Sequence, residues 1–472
     1  MLAACSDNDG GGTQAPPAGT PITFSTDVEK QTTRAYTGSI SDVEVLKGPS
    51  VGFGVLAYLT DESTWATTTD GKTATTYPAP DFMYNQKVTW GTTNVVTDDN
   101  GYTTIYSGWT YTPVKYWPNS TMNATPRRIS FFAYAPYESI TAAAANTEGI
   151  TGITNASDKS PWVKYTLGKV GSQTDFLYAD PVIDATRNGN GLIEVTITEE
   201  GGVTTTTQTY QNVPLVFHHA LSSLDIYVQR EFDNSTNNPS PHETEDTKIF
   251  VNSISLGTGT TGMATSGIFD LEKKEWRTGD MTTTPNQSIT LTSNHLVNHL
   301  RGTSSDDPSV ASELTNIRVY ELDKWSHRWN DDGTRNDESG TLPSGVTEVP
   351  QKININATTL MLIPQTVTIT PTVGYSFVTR DDGLQHDYLI DTEGANGNNS
   401  RRYFRRTITA TGNTVNLTIE PGKHYTLVCL ISAQSVRFEV KEVEDWDFPL
   451  RFTTGIVEGE KTTISHTVNE EH

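Results

Sequence analysis

Cysteine is almost absent from this chain: Cys5 and Cys429 are the two in 472 residues. Two cysteines exclude a disulfide scaffold, and their distance leaves no CxxC spacing for a metal or redox pair. Cys429 falls inside an apolar run, which predicts a buried free thiol. A bridge to Cys5 would tie an N-terminal tail into a core, so the two are read as unpaired. Long apolar runs are missing as well. No stretch of about twenty apolar residues exists, so no membrane-spanning helix is predicted. Basic residues are few: 33 Lys and Arg stand against 56 Asp and Glu, a formal charge of −23. Such a surface repels phosphate backbones and anionic headgroups, which excludes nucleic acid as a direct partner. Long amphipathic helical patterns are scarce.

Thr, Gly, Asn and aromatic residues are plentiful, a composition of many short strands joined by polar turns. The chain is too long for one core. The expected architecture is therefore all-β, with two tandem β-sandwich domains of the Greek-key, transthyretin- or Ig-like kind. Residues 174–231 organise it. Val213, Leu215 and Phe217 alternate, and so do Leu224, Ile226 and Val228. Period two of this kind predicts strands with one buried face. Asp175-Phe176-Leu177-Tyr178-Ala179 reads as a short strand stopped by Asp180-Pro181, and a polar, Thr-rich stretch separates it from the alternating runs. The domain boundary is placed between 185 and 212. The expected division is a tether over 1–21, an N-terminal domain over 22–205, a C-terminal domain over 206–446 and a tail over 447–472.

Further strands are predicted at 51–58, 87–90, 107–111, 129–134, 162–167, 249–256, 317–322, 415–419, 425–431 and 436–440, and early strands within 22–46. Trp109, Tyr111, Tyr116 and Trp117 crowd one region; they are read as core and rim of a sandwich, with a sugar-binding surface as the other option. The polar stretches 306–345 and 383–400 are long for compact loops.

Most chemistry motifs fail on inspection. Gly48-Pro49-Ser50-Val51-Gly52 matches G-x-S-x-G, but a nucleophile elbow needs a strand before it and a helix after it, and here a strand-like run follows. Gly257-Thr258-Gly259-Thr260-Thr261-Gly262 matches G-x-G-x-x-G without a following helix and is read as a hairpin loop. His218 and His219 are neighbours on a strand, so they point to opposite faces and cannot share a metal. Asp445 and Asp447 read as a solvated strand end, and the Asp-Asp-Gly runs at 331–333 and 381–383 as turns. No catalytic, cofactor or metal residue is assigned, and no cofactor is implied.

At the N-terminus, Leu2-Ala3-Ala4-Cys5 resembles a bacterial lipobox, with the sequence starting at the end of a signal peptide and Cys5 as the acylated residue. The polar, Gly- and Pro-containing run after it reads as a flexible tether.

Several motifs share one origin. DFLYA at 175–179, then VPLVFHHALSSLDIYV at 213–228, resembles the Bacteroidales fimbrillin (Mfa-like, type V pilus) family. TTRA at 32–35, GVLAY at 54–58, RRISFFAYAPY at 127–137, LIPQTV at 362–367, PGKHYTLVCLIS at 421–432 and the closing VEDW agree in order. The resemblance implies a fimbrial subunit, structural or adhesive, carried to the outer membrane and cell surface as a lipoprotein. The acidic run after Cys5 resembles the surface-export signal of such lipoproteins. The resemblance also implies cleavage by an Arg-specific protease between Arg34 and Ala35, which frees the first strand. The partners it implies are other fimbrial subunits, the outer membrane through the lipid anchor, and a host or bacterial surface ligand. The tail alternates weakly, with Ile464, His466 and Val468 on one face. It reads either as an edge strand of its own domain or as a donor strand that completes a neighbouring subunit. A different reading remains open: a surface glycan-binding lipoprotein serving an outer-membrane uptake system. A secreted enzyme would need convergent acids or a nucleophile, which the sequence does not offer.

Overall fold

The structure is a computed structural model. It describes residues 21–28, 39–73, 75–97, 103–118, 127–186, 192–198, 204–210, 212–230, 247–291, 320–322, 351–352, 360–380, 403–431 and 436–445. Nearly all regular structure is β, as the composition implies. Among the described residues no helix is long and apolar enough to cross a membrane.

The first sheet has the order Phe24–Val28, Val213–His219, Leu177–Ala179, Arg128–Ala135, Phe53–Asp61, Met83–Thr97, Thr103–Thr110, with Val182–Ala185 also paired to Arg128–Ala135. One face closes over an apolar core that includes Phe24, Phe53, Val55, Trp109, Phe131, Leu215 and Phe217. The other face carries Leu56, Tyr58, Phe132 and Tyr134 into a second core. Burial on both faces explains why Arg128–Ala135 reads RISFFAYA, a run without polar alternation. The second core is closed by a smaller sheet in which Trp162–Thr166 pairs with both Gly149–Ile153 and Met263–Asp270.

The C-terminal part is a sandwich. One sheet holds Ser222–Arg230 between Lys423–Ile431 and the short strands Gln351–Lys352 and Leu360–Leu362, with Val436–Asp445 outside. The facing sheet holds Thr247–Gly257, Gln365–Arg380 and Tyr403–Thr411. Leu224, Ile226, Tyr425 and Cys429 from the first meet Val251, Ile254, Val367 and Val373 from the second in one core.

The chain changes sheet at Ala220-Leu221. Val213–His219 pairs with N-terminal strands and Ser222–Arg230 with C-terminal ones. Both link residues are fully buried in the second core, and the Trp276 indole N–H donates to the Ala220 carbonyl at 2.8 Å.

Val213, Leu215 and Phe217 are buried while Pro214 is exposed and Val216 half-buried, as alternation predicts. The second run departs from it. Ser223, Asp225 and Tyr227 are buried together with Leu224, Ile226 and Val228, because both faces of that strand are covered. Two other expectations are corrected, and one element was not foreseen. Val43–Leu46 is a helical turn, since Asp42 Oδ1 caps it by accepting from the Val45 N–H at 2.9 Å. The segment 257–262 is not a hairpin loop: it carries the chain from one sheet to another through a 3₁₀ turn at Gly259–Thr261. The polar stretch before Val213 holds a hairpin, Leu192–Thr198 paired antiparallel with Thr204–Tyr210.

Candidate functional site

The first strand has a seat of its own. Ile22 and Phe24 alternate with Thr23 and Ser25, and both apolar residues are buried, at 1% and 4% exposure. The strand runs parallel to Val213–His219, from Phe24↔Val213 to Val28↔Phe217. A parallel neighbour cannot come from a tight turn. The chain returns to it only after building most of the sheet, so strand 24–28 lies at the sheet's end.

Its side chains reach across the core. The Phe24 ring meets Phe53 edge-on at 5.9 Å, Tyr111 at 5.7 Å and Phe131 at 6.0 Å. The Trp109 indole N–H donates to Thr26 Oγ1 at 2.9 Å. The Tyr111 hydroxyl donates to the Ile22 carbonyl at 2.8 Å, and burial pushes that phenol up to about 12, so it remains a donor at any physiological pH. Backbone ties flank these contacts: Ile22 N–H to Lys115 O at 2.9 Å and Val213 N–H to Thr23 O at 2.8 Å. The Thr23 hydroxyl also donates to Asn212 Oδ1. Burying Ile22 and Phe24 stabilises the strand by about 1.5–3 kcal/mol each. Without it, the edge of Val213–Phe217 would be bare and two apolar pockets open.

The chain downstream is held differently. Asp175, at 1% exposure, accepts from Ser39 Oγ at 3.2 Å and from the Ile40 N–H at 3.0 Å. It also accepts from its neighbour's Phe176 N–H at 2.8 Å and meets His219 Nδ1 at 3.1 Å. This is the Asp of DFLYA and the second His of the 213–228 motif, and sequence reading gave neither this role. Residues 39–40 are therefore pinned to the sheet crossing. Arg34 and Ala35 fall between the first strand and this clamp, and they lie outside the described residues, as do Cys5, Ile464, His466 and Val468.

His218 and His219 do face opposite ways. His218 Nε2 lies 2.9 Å from Asp180 Oδ2, and Lys274 Nζ lies 3.2 Å from the other carboxylate oxygen. Of the crowded aromatics, Trp109, Tyr111 and Trp117 are buried and only Tyr116 is exposed. They are core and rim, not an open sugar platform. Cys429 is buried and free, and burial pushes its thiol well up.

The G-x-S-x-G match has a steric basis. Its glycines flank a turn with a helical segment before and a strand after, the reverse of an elbow. Gly52 sits at φ 57°, where a Cβ would lie 2.5 Å from the Val88 carbonyl oxygen. A second serine was not foreseen: Ser223 Oγ meets His424 Nδ1 at 2.7 Å, with Asp225 Oδ2 3.7 Å from His424 Nε2. Ser223 is fully buried, so this trio presents no nucleophile to a substrate. It is a polar knot between two parallel strands. Among the described residues no group of three or more His, Cys, Asp or Glu is placed to hold a metal ion.

No family model matches the chain. It is 24% identical over 364 residues to fimbrium subunit Fim1C of Phocaeicola vulgatus, an alignment covering 75% of this chain and 80% of that one. A crystal structure of a fimbrial protein from Bacteroides vulgatus ATCC 8482 shares the fold, with a TM-score of 0.55 at 19% identity over 90% of this chain and 99% of the other. Ordered motifs from 32–35 to the closing VEDW resemble those of the Bacteroidales fimbrillin family, the chain is similar to a curated fimbrium subunit across three quarters of its length, and it shares the all-β fold of a solved fimbrial protein.

Proposed function

We propose that this chain is a fimbrial subunit with a structural or adhesive role, exported as a surface lipoprotein through Cys5 and assembled by strand exchange after N-terminal processing. The observation that carries the proposal is the asymmetry around the expected cut at Arg34. Upstream, strand 24–28 sits at the end of a sheet, held by two apolar side chains and a few hydrogen bonds. Downstream, Ser39 and Ile40 are held by a buried carboxylate. A cut between them releases the upstream strand and leaves the rest in place. The vacated edge then offers unpaired backbone groups and pockets to a strand from another subunit.

Location at the cell surface and in a fimbrium follows from this reading. So do its partners: other fimbrial subunits, the outer membrane through the lipid anchor, and a host or bacterial surface ligand. No enzymatic step is part of it. The reading keeps the division into an N-terminal domain over 22–205 and a C-terminal domain over 206–446. The glycan-binding alternative draws little support from the aromatic cluster, in which Trp109, Tyr111 and Trp117 are buried and Tyr116 alone of the four is exposed.

Limited digestion with an Arg-specific protease, followed by intact mass and size-exclusion chromatography, tests the proposal. The expected result is a cut after Arg34, loss of the first strand and the growth of oligomers. A chain cut at Arg34 that keeps the strand and stays monomeric would overturn it.

A further inference from the structure

The first strand is not an edge strand along its whole length. Among the described residues, Phe24–Val28 pairs on one side alone, with Val213–His219. The three residues before it are held from both sides. On the side of Val213, the Thr23 carbonyl accepts from the Val213 N–H at 2.8 Å and the Thr23 hydroxyl donates to Asn212 Oδ1. On the other side lies the segment 111–117. Pro21 forms an antiparallel bridge with Tyr116, the Ile22 N–H donates to the Lys115 carbonyl at 2.9 Å, and the Ile22 carbonyl accepts from the Tyr111 hydroxyl at 2.8 Å.

That segment is itself fixed. Tyr111 and Trp117 bury its two ends in the core, where Trp117 meets Phe131 at 5.9 Å. The Tyr111 oxygen also accepts from the Lys115 N–H at 3.3 Å, and Gln86 Nε2 donates to the Thr112 carbonyl at 3.1 Å. Ile22 therefore sits in a slot whose walls do not yield one at a time. The hold on the strand is uneven: two-sided at the end that leads back to Cys5, one-sided at the end that leads on to Arg34.

We infer that the segment 111–117 is a latch: after the cut at Arg34 it keeps the first strand seated, so that the cut subunit stays on its membrane anchor until the latch opens. This rests on the strand-exchange reading above and on the anchor at Cys5. The order of the chain gives the latch its task. A cut between Arg34 and Ala35 leaves Cys5 and the first strand together on the fragment 1–34, and the body of the subunit on the other piece. Cys429 is a free thiol, so no disulfide joins the two pieces. The contacts of the first strand alone hold body to anchor. Fraying starts at the new chain end and runs from Val28 back toward Phe24, where each residue has one neighbouring strand to leave. It stops at 21–23, where both sides must open together. Departure from the membrane then follows the opening of the latch and not the cut itself.

The test uses the full, unacylated chain. Cys429 is buried, so a biotin maleimide attaches at Cys5 and fixes the chain to streptavidin beads. An Arg-specific protease makes the cut, intact mass verifies it after Arg34, and an excess of free peptide 20–30 prevents rebinding. The body 35–472 should leave the beads well after it is cut. Tyr111→Phe keeps the ring beside Phe24 and removes the hydroxyl, and should shorten the stay about 10-fold. Ile22→Ala should shorten it at least about 30-fold. In cut chain still on the beads, hydrogen exchange should speed up at residues 25–28 while the Ile22 N–H keeps its protection. A body that leaves as fast as it is cut would overturn the latch and leave strand exchange standing. So would a stay for Tyr111→Phe equal to wild type, or an Ile22 N–H that loses protection before residues 25–28. A chain not cut at Arg34, or a body that no variant frees, would overturn the strand-exchange reading and the latch with it.

Discussion

Among the described residues two strand pairs are parallel, and they differ in how firmly they are held. Phe24–Val28 lies on Val213–His219 over five register pairs at the end of its sheet. Ser222–Arg230 lies on Lys423–Ile431 over eight, in the middle of its sheet. The first pair contributes one buried face, through Ile22 and Phe24. The second is buried on both faces, with Leu224, Ile226 and Val228 in the sandwich core and the Ser223–His424 hydrogen bond behind them. Parallel pairing by itself therefore does not decide permanence. Neighbours on both edges and cover on both faces do.

The largest expected effect falls on the central pair. Ile226→Asp places an unpaired carboxylate in the sandwich core and should cost more than about 4 kcal/mol, abolishing the cooperative transition of the C-terminal part in denaturant. Phe24→Ala comes next. It should cost about 3–5 kcal/mol, with faster hydrogen exchange along Val213–Phe217 and unchanged protection in Lys423–Ile431. If both substitutions slow or speed exchange in both regions alike, the contrast between a removable and a permanent strand is wrong.

How much of this the sequence displayed depends on the face each residue meets. Val213, Leu215 and Phe217 were legible because polar or exposed positions separate them. The strand after them was legible as a strand but not as a two-faced one, since Ser223 and Asp225 look like solvent residues and are buried only because His424 and the parallel neighbour satisfy them. Val43–Leu46 misleads by its β-branched residues, and one capping Asp42 decides for the helix. The Thr-rich hairpin before Val213 carries too little apolar alternation to announce itself. Of the candidate site, the sequence offered Arg34, Ala35 and a tail with some donor character. It concealed the clamp, because Asp175 and His219 lie far apart in sequence and meet only at the sheet crossing.

The clamp sharpens the comparison at an intermediate scale. Asp175→Asn keeps the shape and removes the charge that accepts from Ser39, Ile40 and His219. The expected loss is about 1–3 kcal/mol, with new protease sensitivity near residues 39–41. The cut chain should then lose order on both sides of Arg34 rather than on the upstream side alone. Sensitivity confined to the upstream strand would show that the carboxylate does not hold the downstream end.

The smallest effect lies on the outer face of the strand that seats Phe24–Val28. Partial burial pushes the Asp180 carboxyl up, but the hydrogen bonds and charges of His218 and Lys274 outweigh it and hold it below its ordinary 3.8. A carboxylate lowered by folding adds stability that is fully present above its unfolded value and is lost as pH falls through the folded one. Asp180 is about half exposed, so solvent screening keeps the contribution under about 1 kcal/mol. Asp180→Asn should therefore lower the melting temperature slightly at pH 6 to 7, and the difference from wild type should shrink as pH falls below the ordinary 3.8 and through the folded value. Because the pair touches neither Ile22 nor Phe24, release of the first strand after cutting should proceed at the wild-type rate in this variant. A pH-dependent change in that release would mean that the outer face, and not the buried side chains alone, governs how the first strand is held.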